Sequence, residues 1–117
     1  MGRQDPWSGL SAAPPVPDAV FLILWQFETS DEQADAFTAA YGPEGAWVAF
    51  FRQAEGYRGT ELFRRVQTPP CFLTIDRWET RADYERFRRD HAAAYTALDA
   101  ACEGLTSREV FLAAWED

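Results

Sequence analysis

The segment from residue 20 to residue 27, VFLILWQF, predicts a β-strand that is apolar on both of its faces. Side chains alternate between the two faces of a strand, so a strand with one wet face should alternate apolar and polar residues. Here one face would carry Val20, Leu22 and Leu24, and the other Phe21, Ile23, Trp25 and Phe27. Helices can cover only one of these faces. We therefore expect a second copy of the chain to cover the other face, which predicts a homodimer.

The rest of the sequence predicts two helices and three further strands. Two capping boxes begin the helices and a Gly-Pro pair interrupts the first one. These signals are Ser30 to Gln33, Thr80 to Asp83, and Gly42-Pro43. The remaining strands are predicted over 60–66, 71–78 and 110–115. The order β-α-β-β-α-β predicts an α+β, ferredoxin-like fold, with two helices on one face of a four-stranded antiparallel sheet.

The predicted domain organisation is a tail followed by one domain. Residues 1–18 contain Pro14, Pro15 and Pro17 and predict a flexible tail, and residues 19–117 predict a single domain. The chain has nine Phe, five Trp and four Tyr, which is more aromatic bulk than such a sheet and two helices usually need. We expect part of it to line a pocket or a subunit interface.

Charge and composition exclude several classes of partner. The net charge is -8, which argues against nucleic acid and against anionic membranes as partners. The sequence has no apolar run of membrane-spanning length and no signal peptide, so we expect a cytoplasmic protein. One His and two scattered cysteines, Cys71 and Cys102, match no metal-ligand spacing. The two cysteines are expected to be buried thiols.

Two stretches of the sequence resemble a known family. The third predicted strand and its exit read Phe72-Leu-Thr-Ile-Asp-Arg-Trp78-Glu-Thr, and Gly56-Tyr57-Arg58-Gly59 precedes the second strand. With these motifs, residues 20–117 resemble the antibiotic biosynthesis monooxygenase-like family of the dimeric α/β-barrel superfamily. The resemblance implies that two subunits pair sheet to sheet as a barrel with the helices outside. It also implies a pocket in each subunit between the sheet and its own helices.

The resemblance implies more than one chemistry. Members of the family include cofactor-free oxygenases of aromatic polyketides, haem-degrading enzymes and quinol oxygenases. The haem-degrading members rely on an Asn, a Trp and a His, and the polyketide-oxidising members also use an Asn. This chain has no Asn, and His91 does not fall where the haem-ligating residue is expected. We therefore expect neither haem nor any other cofactor.

Six residues are the candidates for a site in that pocket. The catalytic candidates are Asp76 and His91, and the substrate-binding candidates are Trp78, Tyr95, Tyr41 and Trp47. The resemblance implies that Asp76 and Trp78 face the pocket, and strand alternation puts them on one face. His91 and Tyr95 are four residues apart, so they share a helix face that we expect to lie opposite. The alternative strand parity would turn Leu73, Ile75 and Arg77 toward the helices.

Each candidate also has a purely structural interpretation. Asp76 could form a salt bridge with an arginine of the second helix such as Arg88, and His91 could be a partly buried histidine. Tyr41 and Trp47 could pack around the Gly-Pro break. Two functional hypotheses remain. One is a cofactor-independent monooxygenase that acts on a small aromatic or quinol-like molecule, with Asp76 or His91 as base. The other is a non-catalytic protein that binds a small hydrophobic ligand in the same pocket.

Overall fold

The computed structural model describes residues 20–116. Its elements are β1 (Phe21–Glu28), α1 (Ala34–Tyr41), α2 (Ala46–Phe51), β2 (Tyr57–Arg64), β3 (Cys71–Trp78), α3 (Arg81–Asp90), α4 (Ala92–Cys102), a 3₁₀ turn (Glu103–Leu105) and β4 (Arg108–Glu116). The predicted β-α-β-β-α-β order is confirmed, although each predicted helix is divided into two. The predicted tail, residues 1–18, lies outside the described residues.

The four strands form one antiparallel sheet in the order β2-β3-β1-β4. Strand β1 is paired on both of its edges, with β3 on one side and β4 on the other. Strand β1 is therefore central in the sheet, and its outer side carries the apolar Leu22 and Leu24, which are only partly buried. Strand β2 lies at an edge, in agreement with its more polar sequence.

The two sides of the sheet differ in how well they are buried. On the side that faces the helices, β1 carries Phe21, Ile23, Trp25 and Phe27, all of them buried. The opposite side is formed by apolar residues that remain partly or largely exposed, namely Leu22, Leu24, Phe63, Leu73, Ile75, Val110 and Trp115. Trp115 is 62% exposed and Phe63 is 48% exposed. We call this second side the open face of the sheet.

The two divisions of the helices lie at Pro43 to Gly45 and at His91. Between α1 and α2, Pro43 has no N–H to donate, and a side chain at Gly45 would meet the carbonyl oxygens of Ala39 and Ala40. Between α3 and α4, His91 leaves the helical conformation, with φ at -119° and ψ at 29°. The first break was predicted from the sequence. The second was not, because the aromatic stripe of the predicted helix continues across it.

Helix α3 begins with the predicted capping box. The Thr80 hydroxyl accepts a hydrogen bond from the backbone N–H of Asp83 at 3.0 Å. This cap sets the phase of the helix, so that Tyr84 and Phe87 are buried against the sheet. The longest helix, α4, has 11 residues. No helix in residues 20–116 combines the length and the apolar character needed to cross a membrane.

Candidate active site

Three buried side chains on β3 put polar groups into the helix-facing side of the sheet. Thr74 and Asp76 are each 2% exposed, and Trp78 is fully buried. They lie two residues apart, so all three point to the same side. Their partners across the β1 ladder are Trp25, Ile23 and Phe21, which surround them with apolar groups. We call Thr74, Asp76 and Trp78 the polar row.

Asp76, in the middle of the row, is held by a chain of two hydroxyl groups. Thr60, its cross-strand neighbour on β2, donates a hydrogen bond to Asp76 Oδ1 at 2.7 Å. The Thr60 oxygen is in turn 2.5 Å from the hydroxyl of Tyr57. Because a carboxylate can only accept, the Thr60 proton points to Asp76 and the Tyr57 hydroxyl donates to Thr60.

The two ends of the polar row carry polar atoms that lack hydrogen-bond partners in the described part of the chain. Thr74 Oγ1 and Trp78 Nε1 are buried, and neither has a hydrogen-bond partner among residues 20–116. Buried polar atoms are nearly always hydrogen-bonded in folded proteins. An indole N–H can only donate, whereas a hydroxyl can donate or accept. The row therefore combines one donor, one acceptor and one group of either kind on the helix-facing side of the sheet.

Aromatic rings enclose the Trp78 end of the row. The Trp78 ring is 5.2 Å from Tyr84, 5.3 Å from Tyr57, 5.6 Å from Phe51 and 5.8 Å from Phe87, measured between centroids. Three of these four contacts are edge-to-face, a favourable geometry for aromatic pairs. The surroundings of the indole N–H are therefore rigid and largely apolar.

Three of the remaining candidates, which lie on helices α1, α2 and α4, form one cluster. Trp47 on α2 lies 5.9 Å from Tyr41 and 5.1 Å from Tyr95, and all three are buried. Trp47 is also 5.7 Å from Phe51, which contacts Trp78. The structure thus brings Tyr41, Trp47 and Tyr95 together and connects them to the polar row through Phe51.

The guanidinium of Arg88, on α3, packs against this aromatic cluster. It lies 3.6 Å above the ring centre of Tyr95, and its Nη1 donates to the Tyr84 hydroxyl at 3.1 Å. A guanidinium over an aromatic face is attracted by the ring quadrupole. Arg88 therefore contacts both Tyr84, which packs on Trp78, and Tyr95, which packs on Trp47.

His91 lies apart from the other candidates. Its ring packs 4.5 Å from Phe87 and lines a surface groove of about 230 Å³ with acidic residues that include Glu55, Asp83 and Asp90. Phe87 separates this groove from Trp78, because it contacts both rings. The structure does not bring His91 and Asp76 together across one pocket.

The sequence profile of the antibiotic biosynthesis monooxygenase family matches residues 20–97. The chain belongs to this family. The match covers the whole polar row, both hydroxyl groups that reach Asp76, helices α1 to α3 and the first half of α4. A comparison with curated proteins finds no match.

Solved structures similar to this monooxygenase-family chain support the fold. A proposed antibiotic biosynthesis monooxygenase from Deinococcus radiodurans has a TM-score of 0.66 at 15% identity, over 83% of this chain and 91% of that one. SnoaB, a cofactor-independent oxygenase from Streptomyces nogalater, has a TM-score of 0.56 at 14% identity, over 82% of this chain and 92% of SnoaB. At such identities the likeness establishes the shared fold.

Some members of the family degrade haem. The residues of this chain do not fit a haem group. A haem iron needs an axial ligand, most often a histidine. The only histidine of the chain is His91, whose ring packs on Phe87 and lines the surface groove. In residues 20–116, no group of three or more His, Cys, Asp or Glu side chains could hold a metal ion. Cys71 and Cys102 are both buried thiols.

Sequence reasoning missed three residues that belong to this site in the monooxygenase-family chain. Thr60 and Tyr57 reach Asp76 through hydroxyl groups, and Tyr84 packs on Trp78. Tyr84 could have been found, because it lies on the helix stripe that follows Trp78. Thr60 and Tyr57 could not, since their approach to Asp76 depends on the pairing register of β2 with β3.

Proposed function

We propose that this chain is a cofactor-independent monooxygenase that oxidises a small, planar, electron-rich aromatic molecule such as a hydroxyaryl ketone or a quinol. The molecule would bind between the helices and the polar row. The observation that carries the proposal is the row itself, a buried carboxylate between two polar atoms that lack partners among residues 20–116. A core built only for stability would fill these positions with apolar side chains.

The proposed reaction needs only a base, because the substrate supplies the electrons. Asp76 removes a proton from an activated C–H or O–H bond and leaves a delocalised carbanion or phenolate. The anion reduces molecular oxygen, and one oxygen atom enters the substrate. For a methylene group the balance is R₂CH₂ + O₂ → R₂C=O + H₂O, in which carbon loses two C–H bonds and the second oxygen atom leaves as water.

The side chains around Asp76 can stabilise the negative charge that moves from Asp76 to the substrate. Negative charge that develops on a substrate oxygen would accept a hydrogen bond from Trp78 Nε1, which has no partner among the described residues. Thr74 can donate to, or accept from, a second oxygen on the same ring system. Aromatic walls from Phe51, Phe87 and Trp78 match a planar substrate and exclude water from the anion.

Family membership supports the same chemistry. SnoaB, which shares the fold, is a cofactor-independent oxygenase. The present chain carries its own set of polar groups in the helix-facing side of the sheet, with Thr74, Asp76 and Trp78 on one strand. In this chain, Asp76 would be the base and Trp78 and Thr74 would bind the oxygen atoms of the substrate.

Oxygen uptake tests the proposal. We would add purified protein to 1,8-dihydroxyanthrone, which has an activated methylene, and to a naphthoquinol, and subtract the uncatalysed rate. Asp76→Asn keeps the shape but removes the base, so the enzymatic rate should fall by about 10²-fold or more. Glu61→Gln is the control, because Glu61 is an exposed partner of Arg77 on the open face and should not change the rate.

The outcomes separate the two functional hypotheses. Uptake that depends on Asp76 supports the monooxygenase. Saturable binding of these probes with no oxygen uptake would contradict it and leave the non-catalytic binding protein as the better account. An uptake that survives Asp76→Asn unchanged would remove Asp76 from the mechanism.

We also propose that the protein acts as a cytoplasmic homodimer. Its open face carries partly exposed Leu22, Leu24 and Ile75 and the largely exposed Trp115. An exposed apolar surface of this extent marks an interaction site. A second copy of the same face is a self-complementary partner. Two buried thiols, Cys71 and Cys102, agree with a reducing compartment.

A further inference from the structure

We infer that Thr60 and Tyr57 form a proton exit path that connects Asp76 to the protein surface. The inference rests on the proposed function, in which Asp76 is the base that takes the proton of the substrate. Asp76 is only 2% exposed, so a proton that it accepts has no direct route to water. Each turnover requires the carboxyl group to lose that proton again. The two hydroxyl groups are already in place for the transfer.

The distances along the path are those of strong hydrogen bonds. Asp76 Oδ1 and Thr60 Oγ1 are 2.7 Å apart, and Thr60 Oγ1 and the Tyr57 hydroxyl are 2.5 Å apart. Hydroxyl hydrogen bonds are commonly between about 2.5 and 3.0 Å, and those to an ionised acceptor are the shortest. Both Thr60 and Tyr57 are partly exposed, so the path leads outward from the buried carboxylate.

The direction of the chain reverses when Asp76 is protonated. With Asp76 ionised, Tyr57 donates to Thr60 and Thr60 donates to Asp76. With Asp76 protonated, its O–H can donate to Thr60, which then donates to Tyr57. The Tyr57 proton passes to a water molecule at the surface. One proton enters at Asp76, one leaves at Tyr57, and each hydroxyl group ends with one proton.

A β-bulge in β2 makes this path geometrically feasible. Tyr57 and Thr60 are three residues apart, so in a regular strand their side chains would point to opposite sides. The register shifts between Tyr57 and Gly59, which lie opposite Trp78 and Arg77, and Arg58 is the extra residue. Gly59 has a φ of 117°, a conformation that favours glycine. The bulge thus turns Tyr57 to the helix-facing side, beside Thr60.

Packing then fixes the Tyr57 ring. It lies 5.3 Å from Trp78 in an edge-to-face contact and 5.5 Å from Phe51. The ring therefore forms part of the aromatic wall while its hydroxyl group reaches the chain. This double role distinguishes Tyr57 from Tyr84, which also packs on Trp78 but accepts its hydrogen bond from Arg88.

The neighbouring elements contribute few other ionisable groups to this side. Helix α2 has none, and β1 presents Phe21, Ile23, Trp25 and Phe27. Among the described residues, the other ionisable groups on the helix-facing side include Tyr41 on α1, Tyr84 and Arg88 on α3, Tyr95 and Cys102 on α4, and Glu109 on β4. Of the hydroxyl pair, Thr60 contacts Asp76 directly at hydrogen-bond distance, and Tyr57 contacts Thr60.

Carbon NMR of ligand-free protein tests the path. With ¹³C in the aspartate carboxyl groups, the resonance absent from Asp76→Asn identifies Asp76. Its position during a pH titration reports protonation, and its width reports how fast the proton exchanges with water. In the wild type we expect one sharp, averaged resonance. In Tyr57→Phe and Thr60→Val we expect it to broaden or split, because exchange slows by about tenfold to a hundredfold.

Two variants separate proton transfer from structural damage. Thr60→Ser keeps the hydroxyl group and should retain the sharp resonance, and Tyr84→Phe removes a hydroxyl beside Trp78 but outside the chain and should also retain it. Equal line widths in wild type, Tyr57→Phe and Thr60→Val would overturn the inference. An Asp76 resonance that does not titrate in the folded protein would overturn it as well.

The experiment is independent of turnover. Because no substrate is present, rapid exchange through Tyr57 together with no oxygen uptake would contradict the proposed monooxygenase and leave the path intact. Oxygen uptake that depends on Asp76, together with unchanged line widths, would support the monooxygenase and contradict the proton path. If both hold, Tyr57→Phe should lower kcat for 1,8-dihydroxyanthrone by up to the factor by which exchange slows. The value of kcat/KM should stay unchanged, because the proton leaves Asp76 after the substrate has been deprotonated.

Discussion

Two threonines on neighbouring strands allow the same substitution to be made with opposite expected effects. Thr74 and Thr60 both face the helices, but Thr74 Oγ1 has no partner among the described residues, whereas Thr60 Oγ1 hydrogen-bonds to both Asp76 and Tyr57. Replacing threonine by valine keeps the shape and removes only the hydroxyl group. If the polar row is kept for a ligand, Thr74→Val should stabilise the ligand-free protein, and Thr60→Val should destabilise it.

The structure gives the size of each effect. A buried hydroxyl without a partner costs about 1–3 kcal/mol, so Thr74→Val should raise the free energy of unfolding by about 1–2 kcal/mol. Thr60→Val removes one hydrogen bond to the buried Asp76 and should lower the free energy of unfolding by about 1–3 kcal/mol. In Tm, a change of 1 kcal/mol corresponds to roughly 4 °C for a chain of this size.

Urea unfolding followed by tryptophan fluorescence measures both changes. All samples need the same protein concentration, because the apparent stability of a dimer depends on it. Far-UV circular dichroism would check that the variants keep the fold. If Thr74→Val destabilises the protein as much as Thr60→Val does, then the Thr74 hydroxyl contributes to stability. The polar row would then be part of an ordinary core.

Three further predictions follow from other parts of the structure. Light scattering should give twice the 13.3 kDa chain mass for the wild type, and Trp115→Glu should shift the protein toward monomer; a wild-type monomer at all concentrations would refute the dimer. Gly59→Ala should lower the free energy of unfolding by about 1–3 kcal/mol, because the φ of Gly59 is 117°. Gly104→Ala should change it little, because a side chain there meets open space, and equal effects would contradict the role of the bulge. Hemin titration should show no saturable Soret shift, and one-to-one binding lost in His91→Ala would prove this wrong.

The architecture could be predicted because its signals are local. Alternation of side chains marks the strands, the capping box at Thr80 marks the start of α3, and Pro43 marks the break between α1 and α2. Strand β3 spans residues 71–78, as predicted. Alternation predicted that Asp76 and Trp78 share one side of β3 but left open which side faces the helices. In the structure their side faces the helices. Their roles in a reaction stay predictions.

The parts that could not be predicted depend on contacts between distant residues. Strand β2 begins at Tyr57, whereas the prediction begins at residue 60, because a bulge with a positive φ at Gly59 resembles a loop in sequence. The hydrogen bond from Thr60 to Asp76 depends on the register of two strands, which the sequence of each strand leaves open. The stripe of apolar residues continues across His91, so the sequence predicts one unbroken helix with His91 and Tyr95 on the same face. The break at His91 was therefore not predicted, and His91 was expected in the pocket.

Occupation of the polar row by a ligand can be observed by NMR of the indole groups. Under anaerobic conditions, 1,8-dihydroxyanthrone can be titrated into ¹⁵N-labelled protein while the five indole N–H resonances are followed. The resonance that is absent from Trp78→Phe identifies Trp78, whose buried Nε1 lacks a partner among residues 20–116. We predict a saturable downfield shift of this resonance as its N–H donates to a ligand oxygen, with Trp115 unchanged. A titration that binds the probe but leaves the Trp78 indole resonance where it was would contradict the account.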